Sequence, residues 1–410
     1  MHLVVFEGSH WKSFAPLSIS RPVFMLQSGL STLLEKQIRH IKPTRLTLWV
    51  RPALAEHCRR HLVPTLSVPT AINAPLDEEM ALLSSGRALH FSDYDLPGGP
   101  SVVVDEGELV RKAWAKMPGL SAEDCLNRSP AWLKLLNLPR DAQPGRLPQY
   151  LSDLVHWNEE AIVADAIHLQ DTPHPLPAGP YHVIGDQNVI VDPQATLGPG
   201  VVLDGSKGPV VIEAHAFIGA HSVLCGPCCV GPHSIIAPLS YIREGTSVGP
   251  MCKIAGEVSN SIILGYTNKA HYGYLGHSYV GEWVNLGAGT TTSNLKNTYG
   301  PIKMHIGKKE IVTDRRFLGS MIGDHVKTAI GTRLMSGTYV GYCSMLAASA
   351  LPPRFIPSFT FWTDRGMEPY RLDKAREVMK HVFARRGKIW DEEDETALQN
   401  AVETVREMQQ

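Results

Sequence analysis

An aliphatic residue followed by a small or polar one returns every six positions along the middle of this chain. Ile212, Ile218, Leu224, Val230, Ile236, Ile242, Val248 and Ile254 keep that step without a slip. Val191, Leu197 and Leu203 hold it upstream, and the nine-residue jump to Ile212 is one step plus three residues, supplied by Lys207-Gly208-Pro209. Val280 and Leu286 resume it downstream. A period of six fits neither a helix at 3.6 nor a strand at 2; it marks a hexapeptide parallel β-helix, in which each hexad forms one side of a triangular coil. The anchors point into the prism and stack rung upon rung, while Gly, Asp, Pro and Asn turn its corners. A single rung cannot bury its apolar face, so several must stack. The register is lost over 256–274 and 294–317, which predicts two loops on the binding face.

The flanks have a different texture. Over 1–150, apolar runs at Leu3–Phe6, Leu46–Val50, Ala88–Phe91 and Val102–Val104 alternate with helix-like stretches at Leu30–Ile41 and Leu54–Leu62, which predicts an α/β layer domain. Leu151–Leu169 reads as an amphipathic connecting helix, and 170–180, with four prolines, as a linker. The solenoid then occupies 181–350. A tail over 351–410 places Leu372, Ala375, Val378, Met379, Val382 and Phe383 on one helical face and Leu398, Ala401, Val402 and Val405 on another, predicting two helices against the solenoid end. Small or apolar outward positions near Val201, Val210, Ala216 and Ser222 predict a wall that another prism covers, closed as a trimer.

Lys and Arg number 39 against 40 Asp and Glu, so the formal charge is −1 and gives no footprint for nucleic acid or an anionic membrane. The opening stretch from Met1 to Glu7 is too short for a signal peptide or a span, and a cytoplasmic protein is expected. The seven scattered cysteines suit a reducing compartment. Cys225-Gly226-Pro227-Cys228-Cys229 has half the spacing of a zinc site but no second half, and reads as small repeat fillers.

At the first break the chain runs Asn268-Lys269-Ala270-His271-Tyr272-Gly273-Tyr274-Leu275-Gly276, then Asn285-Leu286-Gly287-Ala288-Gly289-Thr290-Thr291-Thr292-Ser293-Asn294. These segments resemble the bifunctional UDP-N-acetylglucosamine pyrophosphorylase/glucosamine-1-phosphate N-acetyltransferase family, which carries K-A-G-H-x-x-Y-L-G followed by N-[IL]-G-A-G-T-x-T-x-N on a left-handed β-helix. The resemblance implies that His271 is the general base toward a sugar amine, and that Tyr274, Asn285 and Asn294 hold the sugar phosphate and acetyl donor. It makes Arg243 a phosphate ligand and Glu257 a glutamate near the base. Lys296, Lys303 and Lys327 become candidates for the phosphates of the cosubstrate acetyl-CoA. The chemistry suits these types: an imidazole titrating near 6.5 accepts a proton near neutral pH, and a guanidinium fork matches a phosphate. The Gly287 to Gly289 turn can offer N–H donors to a tetrahedral oxyanion. Asn285 and Asn294 also fit stacked corner ladders, and Arg243 a solvated corner charge. One glycine before the base is missing, and Ser259-Asn260 stands where the family has a second phosphate lysine.

For residues 1–150 the resemblance implies a Rossmann-like sugar-1-phosphate nucleotidyltransferase domain taking a nucleoside triphosphate with Mg2+. The family's L-x-x-G-x-G-T-R-M loop is replaced by Phe6-Glu7-Gly8-Ser9-His10, and Asn73, in Ile72-Asn73-Ala74-Pro75-Leu76, stands where a magnesium-binding Asp is expected. Arg21 and Lys36 are the remaining nucleotide-phosphate candidates, and the metal ligands are left unassigned. The alternatives are a nucleotidyltransferase whose β-helix only oligomerises, and a non-catalytic sugar-nucleotide-binding scaffold. The family further implies a homotrimer with acetyl-transfer sites at subunit boundaries, making a UDP-N-acetylamino-sugar for the cell envelope.

Overall fold

The computed structural model describes residues 1–77, 80–105, 109–142, 146–170 and 176–409; residues 171–175 of the expected linker lie outside them. The α/β domain is built around His2–Phe6, buried at every position, with Arg45–Trp49 and Ala81–Ser85 as parallel neighbours. Thr70–Ile72 extends the parallel side, and Leu109–Ala115 and Ser101–Asp105 close the other edge antiparallel. The run at Ala88–Phe91 forms no strand; Leu89 makes a single bridge to Arg146. The strand is Ala81–Ser85, covered on both faces, whose continuous small and apolar character lacks the alternation that marks a half-buried strand. Strand order reverses between His2–Phe6 and Ala81–Ser85, and the crevice beyond their carboxyl ends is where such sheets take ligands.

The connecting segment is two helices, Leu151–His156 and Asn158–Gln170, parted at Trp157. Beyond it the chain winds into a parallel solenoid with three walls. The first runs from Val189–Val191 to Phe355–Ile356 through nine strands. Its inward positions Val191, Ile212, Val230, Val248, Ile263, Val280, Ile322, Val340 and Ile356 stack in register and are buried. The first expected break is not a loop. Ile254, Val258, Ile263, Lys269 and Leu275 continue the ladders, and shortened corners alone shift the count. The second is an insertion, the hairpin Lys303–Ile306/Lys309–Val312.

Val201, Val210, Ala216 and Ser222 do not face outward. All four are buried within the prism of one chain, the first three packed into its apolar core, because they flank corners where the backbone turns inward. The first wall is covered by the chain itself. Ile262, Tyr279 and Met321 on its outer face pack with Trp11, Phe14 and Leu26, and Cys229 and Val211 lie under Ile162 and Ala166 of the connecting helix. Each fully buried apolar side chain of this size contributes about 1.5–3 kcal/mol. Tyr279 Oη also donates to the Gln27 carbonyl at 2.8 Å. The apolar side chains left exposed lie elsewhere, Ile184, Phe217, Ile235, Leu239 and Tyr241 among them.

The tail helices Leu372–Ala384 and Glu392–Gln409 pack along an edge rather than at an end. Phe383 stacks on Trp283 at 4.4 Å, and Ala375, Met379, Leu398 and Ala401 share a core with Ile19 and Tyr342. Asn400 Nδ2 donates to the Ala53 carbonyl at 2.7 Å, so the tail joins solenoid and α/β domain. Cys228 points into the prism and burial raises its thiol well above the usual range; Cys229 is pushed up to about 12, so neither suits a metal. Among the described residues no helix is long and apolar enough to cross a membrane.

Candidate acetyl-transfer site

The second wall runs from Thr196–Leu197 to Asn268–Lys269 and the third from His182–Ile184 to Tyr274–Gly276; a cleft of about 660 Å³ opens between the second and the tail helix, and its lining includes His271, Asn285, Gly287, Ala288, Lys327 and Arg385. His271 stands on the corner between the second and third walls, exposed to solvent. That corner is held from behind. Gly273 adopts a positive φ, and a side chain there would meet the Thr290 carbonyl, so only glycine lets the next rung close. Lys269 occupies an inward position, and its Nζ donates to the carbonyls of Ala255 and His271 at 2.5 and 3.2 Å. Burial pulls the Lys269 ammonium down to about 8.

The glycine turn works differently from the expectation. Gly287 N–H donates to Thr328 Oγ1 at 3.0 Å and Gly289 N–H to the Tyr272 carbonyl at 3.0 Å. Both amides are therefore engaged, and Ala288 between them lines the cleft. Asn285 and Asn268 form a side-chain ladder at 3.4 Å, and Arg386 Nη2 donates to Asn268 Oδ1 at 2.8 Å. Lys327 donates to the carbonyls of Trp283 and His325, and burial lowers it to about 8.

Four of the expected residues gather separately on the third wall. Asn294 Nδ2 lies 2.9 Å from Tyr274 Oη and 2.9 Å from His277 Nδ1. Arg243 donates to Glu257 at 3.2 Å and Glu244 at 3.1 Å, so a phosphate there must displace a carboxylate. His277 is held down to about 4, by burial and then by Arg243. Lys296 and Lys303 stay out of the cleft: the first donates to the Pro301 carbonyl and the second to Glu310 on the inserted hairpin. Sequence reading missed Ala288, Lys253, Arg385 and Arg386. The basic run Arg385-Arg386-Gly387-Lys388 after an amphipathic helix was the available signal for the last two.

In the α/β domain the three nucleotide candidates do not meet. Arg21 pairs with Asp324 on the solenoid at 2.6 Å. Lys36 is fully buried against Asp165, closed to any phosphate. Asn73 accepts from Val50 N–H at 2.8 Å and donates to the Val50 carbonyl at 3.1 Å, a staple between strands. The crevice at the strand-order reversal is lined by Glu7, Gly8, Ser9, His10, Arg87 and Arg128, but it holds only about 20 Å³, near the space of one water. Trp132, packed edge-on against Phe6 at 4.8 Å, fills it. Its lining carboxylate, Glu7, is buried; Oε2 accepts from Arg51 Nε at 3.0 Å, and Oε1 is left without a hydrogen-bond partner. One unpaired carboxylate oxygen, Glu7 Oε1, enclosed in so small a space does not fit Mg2+, which is octahedral and keeps several waters beside the substrate phosphates.

Residues 3–172 match the family model described as sugar nucleotidyl transferase. A protein of Methanocaldococcus jannaschii called bifunctional protein GlmU is 39% identical over 161 residues, 38% of each chain. The bifunctional sugar-1-phosphate nucleotidylyltransferase/acetyltransferase of Sulfurisphaera tokodaii is 35% identical over 150 residues, 36% of this chain and 37% of that one. A solved UDP-N-acetylglucosamine acyltransferase aligns with 52% of this chain and 80% of its own at 14% identity, with a TM-score of 0.21. The class defined here is a nucleotidyltransferase-type α/β domain joined to a hexapeptide-repeat solenoid. Within it the chain is similar to the proteins called GlmU over stretches that span less than half the length of those relatives.

Proposed function

We propose that the chain is an acetyl-CoA-dependent N-acetyltransferase acting on an amino-sugar phosphate, with its main site in the His271 cleft. The observation that carries this reading is the meeting, in one cleft, of an accessible imidazole, Ala288 of the glycine turn and the cations Lys253, Lys327, Arg385 and Arg386. The amine attacks the thioester carbonyl to form a C–N bond, His271 takes the amine proton, and the thiolate leaves as the C–S bond breaks. In this reading Ala288 N–H faces the oxygen on which charge develops. The cationic rim suits the phosphates of coenzyme A, and Ile330, Val382 and Trp283 give its apolar arm a surface. Asn285, Tyr274 and Asn294 flank the corner from both sides, and in this reading they hold the sugar.

Nucleotidyl transfer in the α/β domain is the second half of the reading, supported by the family match and by the crevice at the strand-order reversal. It is the weaker activity, because Trp132 crowds that crevice and its carboxylate, Glu7, is buried and tied to Arg51 through one oxygen. A metal for this half would arrive with the nucleotide. With the first wall covered in cis, the other walls and their shared edge are left for a homotrimer; Leu239, Tyr272 and Ile330 along that edge are exposed. The test is an activity panel on the full chain, glucosamine-1-phosphate with acetyl-CoA and N-acetylglucosamine-1-phosphate with UTP and Mg2+, read by mass spectrometry. Acetyl transfer above nucleotidyl transfer is expected; the reverse order, with His271→Ala silent, would reduce the solenoid to an oligomerising element.

A further inference from the structure

Away from the cleft, the Pro52–His57 helix runs into a π-helical turn, Cys58–Leu62, that lies under the start of the tail helix Glu392–Gln409. His57 Nδ1, His61 Nε2 and Glu393 Oε1 converge there within 4.8 Å of one another, the one such group among the described residues. We propose that these three side chains form a divalent transition-metal site, suited best to Zn2+, that clamps the tail onto the α/β domain.

Three observations support it. His57 and His61 are four residues apart, which puts both rings on one helical face, and the wider π turn opens the space between them. Glu393 Oε1 is buried and accepts no hydrogen bond, although His61 Nε2 lies 2.9 Å away and His57 Nδ1 3.7 Å. A buried carboxylate oxygen without a partner is costly, and close approach without hydrogen-bond alignment is what lone pairs aimed at a common point produce. The two separations bracket the edge of about 3.3 Å that metal–ligand bonds of about 2.0–2.1 Å impose on a tetrahedron.

The donor set selects the ion. Two imidazoles and one carboxylate favour zinc over the hard cations magnesium and calcium. Arg60 Nη1, 3.4 Å from Glu393 Oε2, neutralises the oxygen that is not directed at the site. His61 is half exposed, which leaves a fourth position open to water. Beside the Asn400–Ala53 hydrogen bond and the Arg60–Glu393 ion pair, a metal here would add a further link between elements 332 residues apart, from His61 to Glu393.

The experiment uses the full chain stripped with EDTA and titrated with Co2+ and Zn2+. The expected result is one Co2+ per chain with the visible absorption of a tetrahedral N/O site, displaced by Zn2+, and a Tm that rises with Zn2+ and falls back with EDTA. His61→Ala, at a half-exposed position that leaves folding intact, should lose both signals, as should Glu393→Gln. Arg60→Ala, which removes an ion pair but no ligand, should keep them. No Co2+ spectrum in the wild type, or equal binding by wild type and His61→Ala, would overturn the site and leave an ordinary His61–Glu393 ion pair.

Discussion

Arg21 Nη2 and Asp324 Oδ2 meet at 2.6 Å across 303 residues of chain, both side chains nearly buried, with Glu282 adding a second carboxylate at 3.4 Å. The contact joins the α/β domain to an edge of the solenoid. Breaking a buried pair leaves an uncompensated charge, so Arg21→Ala should lower stability by about 3–5 kcal/mol in urea unfolding. The same change in an Asp324→Asn background should cost much less. An unchanged midpoint with a raised KM for a nucleoside triphosphate would instead return Arg21 to phosphate binding.

His271→Ala should lower kcat for acetyl transfer by at least ~10²-fold with KM little moved, the pattern of a lost general base. Steady-state kinetics with both substrates varied will show it. Near-full turnover would remove His271 from the chemistry.

Arg385 is exposed on the rim of the cleft. Arg385→Ala should raise KM for acetyl-CoA by roughly tenfold, the equivalent of one charge-assisted contact of about 1.4 kcal/mol, and leave Tm unchanged. The KM for desphospho-coenzyme A thioester should respond less to the substitution.

Lys269 supplies a pH test. Its folded value of about 8 lies below the ~10.4 of an unfolded lysine, so between those values the unfolded chain holds a proton that the folded chain does not. Stability from this group therefore rises with pH through that window, by up to about 1.4 kcal/mol per unit, and is lost on acidification toward 8. Comparing wild type with Lys269→Met isolates it from the buried tyrosines and cysteines, which act oppositely: the wild type should gain on the variant between pH 8 and 10. Parallel curves would mean that the ammonium stays charged in its corner.

Light scattering at micromolar concentration should give three times the chain mass of 45.0 kDa. Leu239→Glu, at a position 78% exposed, should dissociate the assembly without unfolding the prism. A single-chain mass with acetyl transfer intact on dilution would end the shared-site reading.

The solenoid was legible because its anchors repeat locally, and the pattern survives any tertiary arrangement. What hexad counting could not see were corners shortened by a residue or two, so the stretch around Lys269 looked like a loop although the ladders run straight through it. His271 and Asn285 of the motif line one cleft together with Lys327, which lies outside that motif. Lys36 shows the opposite case. A lysine on an amphipathic helix near a presumed phosphate site has the same local sequence whether it faces solvent or Asp165, and the partner lies 129 residues away. The basic run from Arg385 to Lys388 is visible in the sequence but its destination is not: only the docking of Phe383 on Trp283 brings the tail arginines to the cleft.

The Tyr279–Gln27 hydrogen bond has a consequence for synthesis on the ribosome. The partners are 252 residues apart. At about 5–20 residues per second, the surface of Trp11, Phe14 and Leu26 waits about 13–50 s for the wall that covers it. During that interval those side chains have Leu89 and the helix residues Leu151, Leu154 and Val155 to pack with, but not Ile262, Tyr279 and Met321. Transiently exposed apolar surface of this kind is aggregation-prone, so the pace of synthesis up to Tyr279 bears on how much of the chain reaches the native state.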